Sequence, residues 1–136
     1  MTPDRPCPFC QLPPEAIWYR DEHVLGIWDA YPVAPGHALL VLRRHVASWF
    51  DASDDERSAL MAATSVARQH IVERLGREPD GVNIGINTGA AAGQTVMHLH
   101  VHVIPRVRGD VADPRGGVRH TLPGKGHYDT DAEPRR

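Results

Sequence analysis

The run His98-Leu99-His100-Val101-His102-Val103-Ile104 places an imidazole at every second position. In an extended strand successive side chains point to opposite faces. The three histidines then share one face, while Leu99, Val101 and Val103 pack on the other. Neighbours on one face stand roughly 6.5–7 Å apart at their Cα atoms. All three rings can reach one phosphoryl group or one metal ion. Histidine exchanges protons near neutral pH and is the commonest metal ligand, so this run alone leaves both chemistries open.

The residues around it favour phosphate. Residues 89–93 read Gly-Ala-Ala-Ala-Gly, just ahead of the histidines. Small residues let backbone amides approach an anion closely. Gln94 and Thr95 add an amide and a hydroxyl donor at the exit of that loop. His37 follows Pro35-Gly36 and opens an apolar run, so it can reach the same pocket.

Cys7-Pro8-Phe9-Cys10 is a second constellation. The C-x-x-C spacing suits a metal site or a redox pair. A redox pair normally opens a helix after a strand, and Pro8, Pro13 and Pro14 do not announce one. A structural zinc site needs four ligands. His45, just after residues 38–42, and His98 are available to complete it, with a redox pair and inert thiols as the alternatives. His70, inside the long helix beside Ile71, reads as a residue at the core boundary, and His23, His120 and His127 as solvated. Gly124-Lys125 lacks the earlier glycine of a phosphate loop, since position 119 is Arg.

These side chains need a scaffold. Residues 17–20 and 24–28 are short β-rich runs around Asp21-Glu22, a hairpin pattern. Residues 29–36 hold two prolines and a glycine and form a loop. Residues 38–42, bounded by Gly36 and Arg43-Arg44, read as a central strand. Ser53 with Glu56 makes a capping box. Leu60, Thr64, Ala67, Ile71 and Leu75 follow on one helical stripe that ends at Gly76. Residues 82–87 and 97–104 read as strands. The result is an α+β domain with a mostly antiparallel sheet of about five strands, one long helix and a short one.

The 136 residues fit a single core, and the formal net charge of −2 suggests neither a nucleic-acid surface nor an acidic-membrane binder. No apolar run approaches the roughly 18 residues that span a bilayer. The first residues carry no apolar stretch of the kind a secretory signal needs, so the chain reads as cytoplasmic. From Pro105 the composition turns to Gly, Pro, Arg and Asp. The expected division is a domain over residues 1–108, including the N-terminal metal-binding segment, and an extended or partly disordered arm over 109–136.

Together these residues resemble the histidine triad (HIT) family, whose signature of three histidines alternating with apolar residues is matched from His98 to Ile104. The resemblance extends through residues 29–41 and through residues 87–96, which look most like the fragile histidine triad branch. It covers about residues 7 to 106. It implies a HIT-like fold whose sheets join across a homodimer. It implies cleavage at the α-phosphate of a dinucleoside polyphosphate or related adenine nucleotide, through a nucleotidyl-histidine on His100. His102 would contact the phosphate and leaving group, and His37 would be a fourth active-site histidine. Asp29 would bind the ribose hydroxyls, Ile27 would wall the base pocket, and Asn87, Gln94 and Thr95 would be phosphate-side donors. In the zinc-bearing branch, and in the related galactose-1-phosphate uridylyltransferases, the matching metal ligands are Cys7, Cys10, His45 and His98. Nucleoside phosphoramidate hydrolysis and dinucleoside polyphosphate phosphorolysis are alternatives within the family. A His-ligated metallohydrolase and a non-catalytic nucleotide-binding module are alternatives outside it.

Overall fold

The computed structural model describes residues 6–129 and 131–134. The N-terminal residues 1–5, on which the absence of a leader was partly read, lie outside the described residues, as do Thr130, Arg135 and Arg136 of the arm. Five strands form one antiparallel sheet: β1 (Tyr19–Arg20), β2 (Val24–Trp28), β3 (Ala38–Leu42), β4 (Gly81–Gly85) and β5 (His100–Arg106), in the order β1-β2-β3-β5-β4. A single α-helix among the described residues, α1 (Asp54–Leu75), lies between β3 and β4 in sequence. The expected short helix appears only as 3-10 turns, at Pro14–Ala16, Trp49–Asp51, Ala90–Ala92 and Gly117–Thr121.

Register decides which side chains meet. Ile27 pairs with Leu39, Leu39 with His102, and His102 with Gly85, so these four form one row across the sheet. Leu25, Val41 and His100 form the next row. The alternate residues, among them Val24, Leu40, Leu42, Val101 and Val103, face α1 and are fully buried with Leu60, Ala67 and Ile71 of the helix. The helix thus closes one face of the sheet and leaves the histidine face for function.

The helix starts where the capping box predicts. The Ser53 hydroxyl accepts from the Glu56 amide at 3.1 Å, and Glu56 Oε1 accepts from the Ser53 amide at 2.8 Å. It stops at Gly76, whose φ of 72° is the left-handed conformation that suits a residue without Cβ. The buried stripe is Glu56, Leu60, Ala63, Ala67 and Ile71, so Ala63 takes the place expected for the half-exposed Thr64. Gly26 in β2 has a different reason to be glycine: a Cβ there would stand 2.6 Å from the Trp18 ring.

Two strands are displaced from expectation. β4 ends at Gly85 rather than at residue 87. β5 begins at His100, two residues after a bend at His98, and continues through Pro105. Pairing with β3 stops at Val103, so Pro105 sits where no β3 carbonyl awaits its missing N–H. No helix among the described residues is long and apolar enough to cross a membrane.

Candidate functional site

The histidine face holds two clusters. In the first, Nε2 of His98 lies 2.6 Å from the carbonyl of Leu42. A carbonyl only accepts, so that nitrogen carries the proton and Nδ1 presents a lone pair. Around Nδ1 stand His45 Nδ1 at 3.1 Å, Cys7 Sγ at 3.4 Å and Cys10 Sγ at 3.6 Å, with Cys10 Sγ 3.2 Å from His45 Nδ1. Tetrahedral metal–nitrogen and metal–sulfur bonds set neighbouring donors roughly 3.3–3.8 Å apart. The four groups therefore form a set that could hold one metal ion. The His98 N–H on a backbone carbonyl is the usual outer support of a metal-bound imidazole.

This corrects one expectation. The three histidines do not converge on one group. The bend at residues 96–98 and the Leu42 carbonyl turn the His98 ring to the cysteines, and the ring is completely buried there. His100 and His102 keep the shared face with their rings in contact, and His37, just ahead of β3, meets His102 there.

The second cluster is a chain of hydrogen bonds. Nδ1 of His37 accepts from the Val33 amide at 3.2 Å, so the proton of the neutral ring is on Nε2. That N–H meets His102 Nδ1 at 2.9 Å and Asp29 Oδ2 at 3.3 Å. His102 Nδ1 thus accepts, which puts the His102 proton on Nε2. In His100 the pattern is reversed: Nδ1 donates to the His98 carbonyl at 2.7 Å, leaving a lone pair on Nε2. The His100 and His102 rings stand 5.1 Å apart. A ring with a lone pair on Nε2 therefore packs against a ring with a proton on Nε2.

Burial holds His102 neutral. Its pKa is pushed down to about 4 by desolvation first, then by His100 and His37, against the raising influence of Asp29. His37 is lowered by burial too, with Asp29 opposing. The Asp29, His37 and His102 ligand atoms lie within 4.8 Å of one another, yet they do not suit a metal. Ligation through His37 Nε2 would move its proton to Nδ1, where the Val33 N–H already points. This donor pattern disfavours a His-ligated metallohydrolase centred here.

The remaining expected residues sit as follows. Asn87 lines a cleft of about 560 Å³ together with His37 and His102. Ile27 packs with Leu39 and Val41 in an apolar patch that Phe9, Leu12 and Ile17 partly cover. Gln94 is buried and committed: its amide donates to the Ala47 and Val96 carbonyls at 2.9 and 3.1 Å, and its carbonyl accepts from Gly89 N at 2.8 Å. The 89–93 loop closes on itself, since the amides of Ala92, Gly93 and Gln94 return to the carbonyls of Gly89 and Ala90. Thr95 is exposed at the loop exit.

Three features escaped the sequence. The Val33 amide fixes a tautomer, which no side-chain pattern reveals. Arg106 is held by Asp110 at 2.7 and 2.8 Å and donates to Asn83 at 2.8 Å; the four-residue spacing of Arg106 and Asp110 was the available signal. This fork brings Val111 and Val118 of the arm to the wall of the His37–His102 cleft. Phe9, a spacer in the sequence pattern, lies against both His98 and His100.

Comparisons with known proteins agree on one family. The HIT domain matches residues 12–109. An uncharacterized HIT-like protein of Methanocaldococcus jannaschii is 37% identical over 108 residues, 76% of this chain and 81% of that protein. A Mycobacterium tuberculosis protein named AP-4-A phosphorylase is 37% identical over 109 residues, 76% of this chain but only 55% of its own length. The crystal structure of a Zn-bound histidine triad family protein from Mycobacterium smegmatis superposes with a TM-score of 0.64 at 36% identity, over 72% of this chain and 70% of that one.

Proposed function

The chain belongs to the HIT domain family, and from that premise we propose that it is an enzyme cleaving nucleotides at the α-phosphate through a covalent intermediate on His100. The observation that carries the reading is the pair of opposite tautomers, a lone pair on His100 Nε2 beside a proton on His102 Nε2. His100 Nε2 attacks phosphorus, forming the N–P bond as the bond to the leaving group breaks. His102 Nε2–H supplies the proton that the leaving group takes. His37 and Asp29 keep that proton on the outward nitrogen. Water, giving its proton to the His102 Nε2 lone pair, or inorganic phosphate in a phosphorylase, then attacks phosphorus as the N–P bond breaks and releases His100.

In the same reading Asp29 binds the ribose hydroxyls and Ile27 walls the base pocket, with adenine the expected base. Asn87 and Thr95 are donors to the phosphate. Gln94 reaches the phosphate only by releasing a carbonyl, and otherwise holds the loop. Cys7, Cys10, His45 and His98 hold zinc, which supplies a structural clip at the base of the histidine strand. A domain over residues 1–108 with an arm over 109–136, a homodimer joined through its sheets, and a cytoplasmic location belong to the same proposal.

On substrate the cleft beyond His102 favours one branch. Val33, Ile104, Val111 and Val118 border it, and Arg106 is the one arginine or lysine among the described residues that line it. Its guanidinium is already taken by Asp110 and Asn83. A polyphosphate chain calls for cations, and beside the Asn87 amide the described lining offers no unpaired arginine or lysine, so this cleft suits a phosphoramidate or ester with a compact apolar leaving group better than a dinucleoside polyphosphate. The relative named AP-4-A phosphorylase supports the other branch, with phosphate as acceptor. Incubation with adenosine phosphoramidates and dinucleoside polyphosphates, with and without inorganic phosphate, separates these branches by product. An acid-labile nucleoside monophosphate adduct on His100, seen by intact mass and peptide mapping, tests the intermediate common to all. Absence of that adduct under single turnover with every substrate overturns the reading.

A further inference from the structure

Phe9 occupies the middle of the turn that carries both cysteines, closed by the Cys10 amide on the Cys7 carbonyl at 3.2 Å. Its ring stands edge-on to His98 at 5.8 Å and to His100 at 5.0 Å. We propose that Phe9 is a positioning residue for His100, and that the state of the Cys7–Cys10–His45–His98 cluster reaches the nucleophile through it. The inference rests on the reading of His100 as nucleophile given above.

The case is mechanical. His100 has one hydrogen bond on its ring, from Nδ1 to the His98 carbonyl. One such bond fixes a nitrogen but leaves the ring plane free to tilt, because the terminal torsion of histidine has a broad well. Two aromatic rings stand against it, Phe9 and His102, at interplanar angles of 72° and 65°. His102 is itself held by His37. Phe9 is held differently. Among the described residues its segment forms no strand before Tyr19, and its one helical element there is the 3-10 turn Pro14–Ala16. Two things pin it: the apolar contact of Phe9, Leu12 and Ile17 with Ile27, Leu39 and Val41, and the two sulfurs against His45 and His98. A metal ion shared by those four groups would clip the Phe9 ring in place. Without that clip, the apolar contact alone must hold a short irregular segment. A modest misplacement of a reacting group can lower a rate up to about a hundredfold.

The full chain is tested as wild type, Phe9→Leu and Phe9→Tyr, each metal-loaded and each after chelation. Leu keeps apolar bulk without the ring, and Tyr keeps the ring. Metal per chain, the NMR resonances of the His100 ring and the single-turnover rate of nucleotide transfer to His100 are measured. Phe9→Leu should retain its metal, shift the His100 resonances and slow the transfer about tenfold, an effect on kcat rather than KM. Phe9→Tyr should restore both. Chelation should move the His100 resonances of the wild type toward those of Phe9→Leu, and should move those of Phe9→Leu no further. Wild-type rate and resonances in Phe9→Leu would overturn the proposal. So would an equal response of both proteins to chelation, which would route the coupling through the His98 carbonyl instead. If no variant forms a nucleotide adduct, the functional reading fails, and the resonances of loaded wild type, Phe9→Leu and Phe9→Tyr still decide whether Phe9 positions His100.

Discussion

His37 Nε2 stands 2.9 Å from His102 Nδ1, and the Val33 amide on the far side of the His37 ring makes His37 the donor in that contact. One backbone N–H thereby decides where the protons of His37 and His102 lie. His102 is left with its proton on Nε2, where the proposed leaving group would take it.

Replacing His100 removes the proposed nucleophile without disturbing the core, since its ring faces away from α1. His100→Ala should lower turnover by about three orders of magnitude or more, as loss of a nucleophile does elsewhere, while thermal unfolding stays close to wild type. A variant retaining a tenth of the activity would move the nucleophile elsewhere.

The buried histidines shape stability against pH. His102 has a folded pKa of about 4 against an ordinary 6.5, and His37 is lowered as well. Between these values the unfolded chain binds more protons than the folded one, so stability falls as pH drops from about 6.5 toward about 4. Glu56, lowered to about 2 from 4.5 by Arg44 first, loses its contribution only at still lower pH. The urea midpoint should therefore drop between pH 7 and pH 5. His102→Asn should flatten that drop. An unchanged slope in the variant would show that His102 is not held neutral by the fold.

Glu56 ties the start of α1 to the segment after β3. Its carboxylate takes the Ser53 amide of the helix start and the Arg44 guanidinium at 2.7 and 3.0 Å, next to His45. Glu56→Gln weakens the cap and the fork together. A loss of about 1–2 kcal/mol is expected from a cap and a charged hydrogen bond of this kind. Looser metal retention should accompany it, because Arg44 adjoins His45. Denaturant unfolding and metal content after dialysis read the two effects. Stability equal to wild type would reduce the Arg44–Glu56 pair to a surface contact.

The alternating histidines, the capping box and the Cys pair were legible because each is a short-range pattern with a fixed period or spacing. Alternation alone groups His98 with the other two histidines, and its place beside the cysteines came from the family resemblance. Alternation gives the face of a strand but not the bend at 96–98, nor the Leu42 carbonyl that selects one ring nitrogen. Gln94 looked like a free donor because its partners, Ala47 and Val96, are backbone carbonyls that no composition encodes. The reach of the arm to the cleft was illegible, since the sequence beyond residue 108 carries no apolar period, and the chain at Arg108 and Asp110 is held by the Arg108 amide on Asp80 and by the Arg106–Asp110 fork.

The zinc reading predicts about one ion per chain in purified protein, by the stoichiometry of a four-ligand site. Cys7→Ser should lower the melting temperature and, through Phe9, slow the chemical step of the surviving enzyme no more than Phe9→Leu does, about tenfold. Metal-free protein that melts like the wild type would leave the cysteines as inert thiols.

Asp29 has two partners already. Its Oδ1 accepts from the Tyr31 amide at 2.8 Å, which is the turn role of an aspartate ahead of Pro32, and its Oδ2 faces His37 Nε2 at 3.3 Å. Each carboxylate oxygen has a further lone pair, so ribose hydroxyls can still be bound. A charged acceptor is worth about 1.5–3 kcal/mol per hydrogen bond. Loss of the 2′-hydroxyl should then lower kcat/KM of the wild type by roughly one to two orders of magnitude. Asp29→Ala should abolish that discrimination. Asp29→Asn keeps an acceptor for Tyr31 and should keep part of it, because a neutral acceptor makes the weaker bond. The comparison is adenosine against 2′-deoxyadenosine substrates on all three proteins. Equal discrimination by all three would confine Asp29 to its turn and to His37.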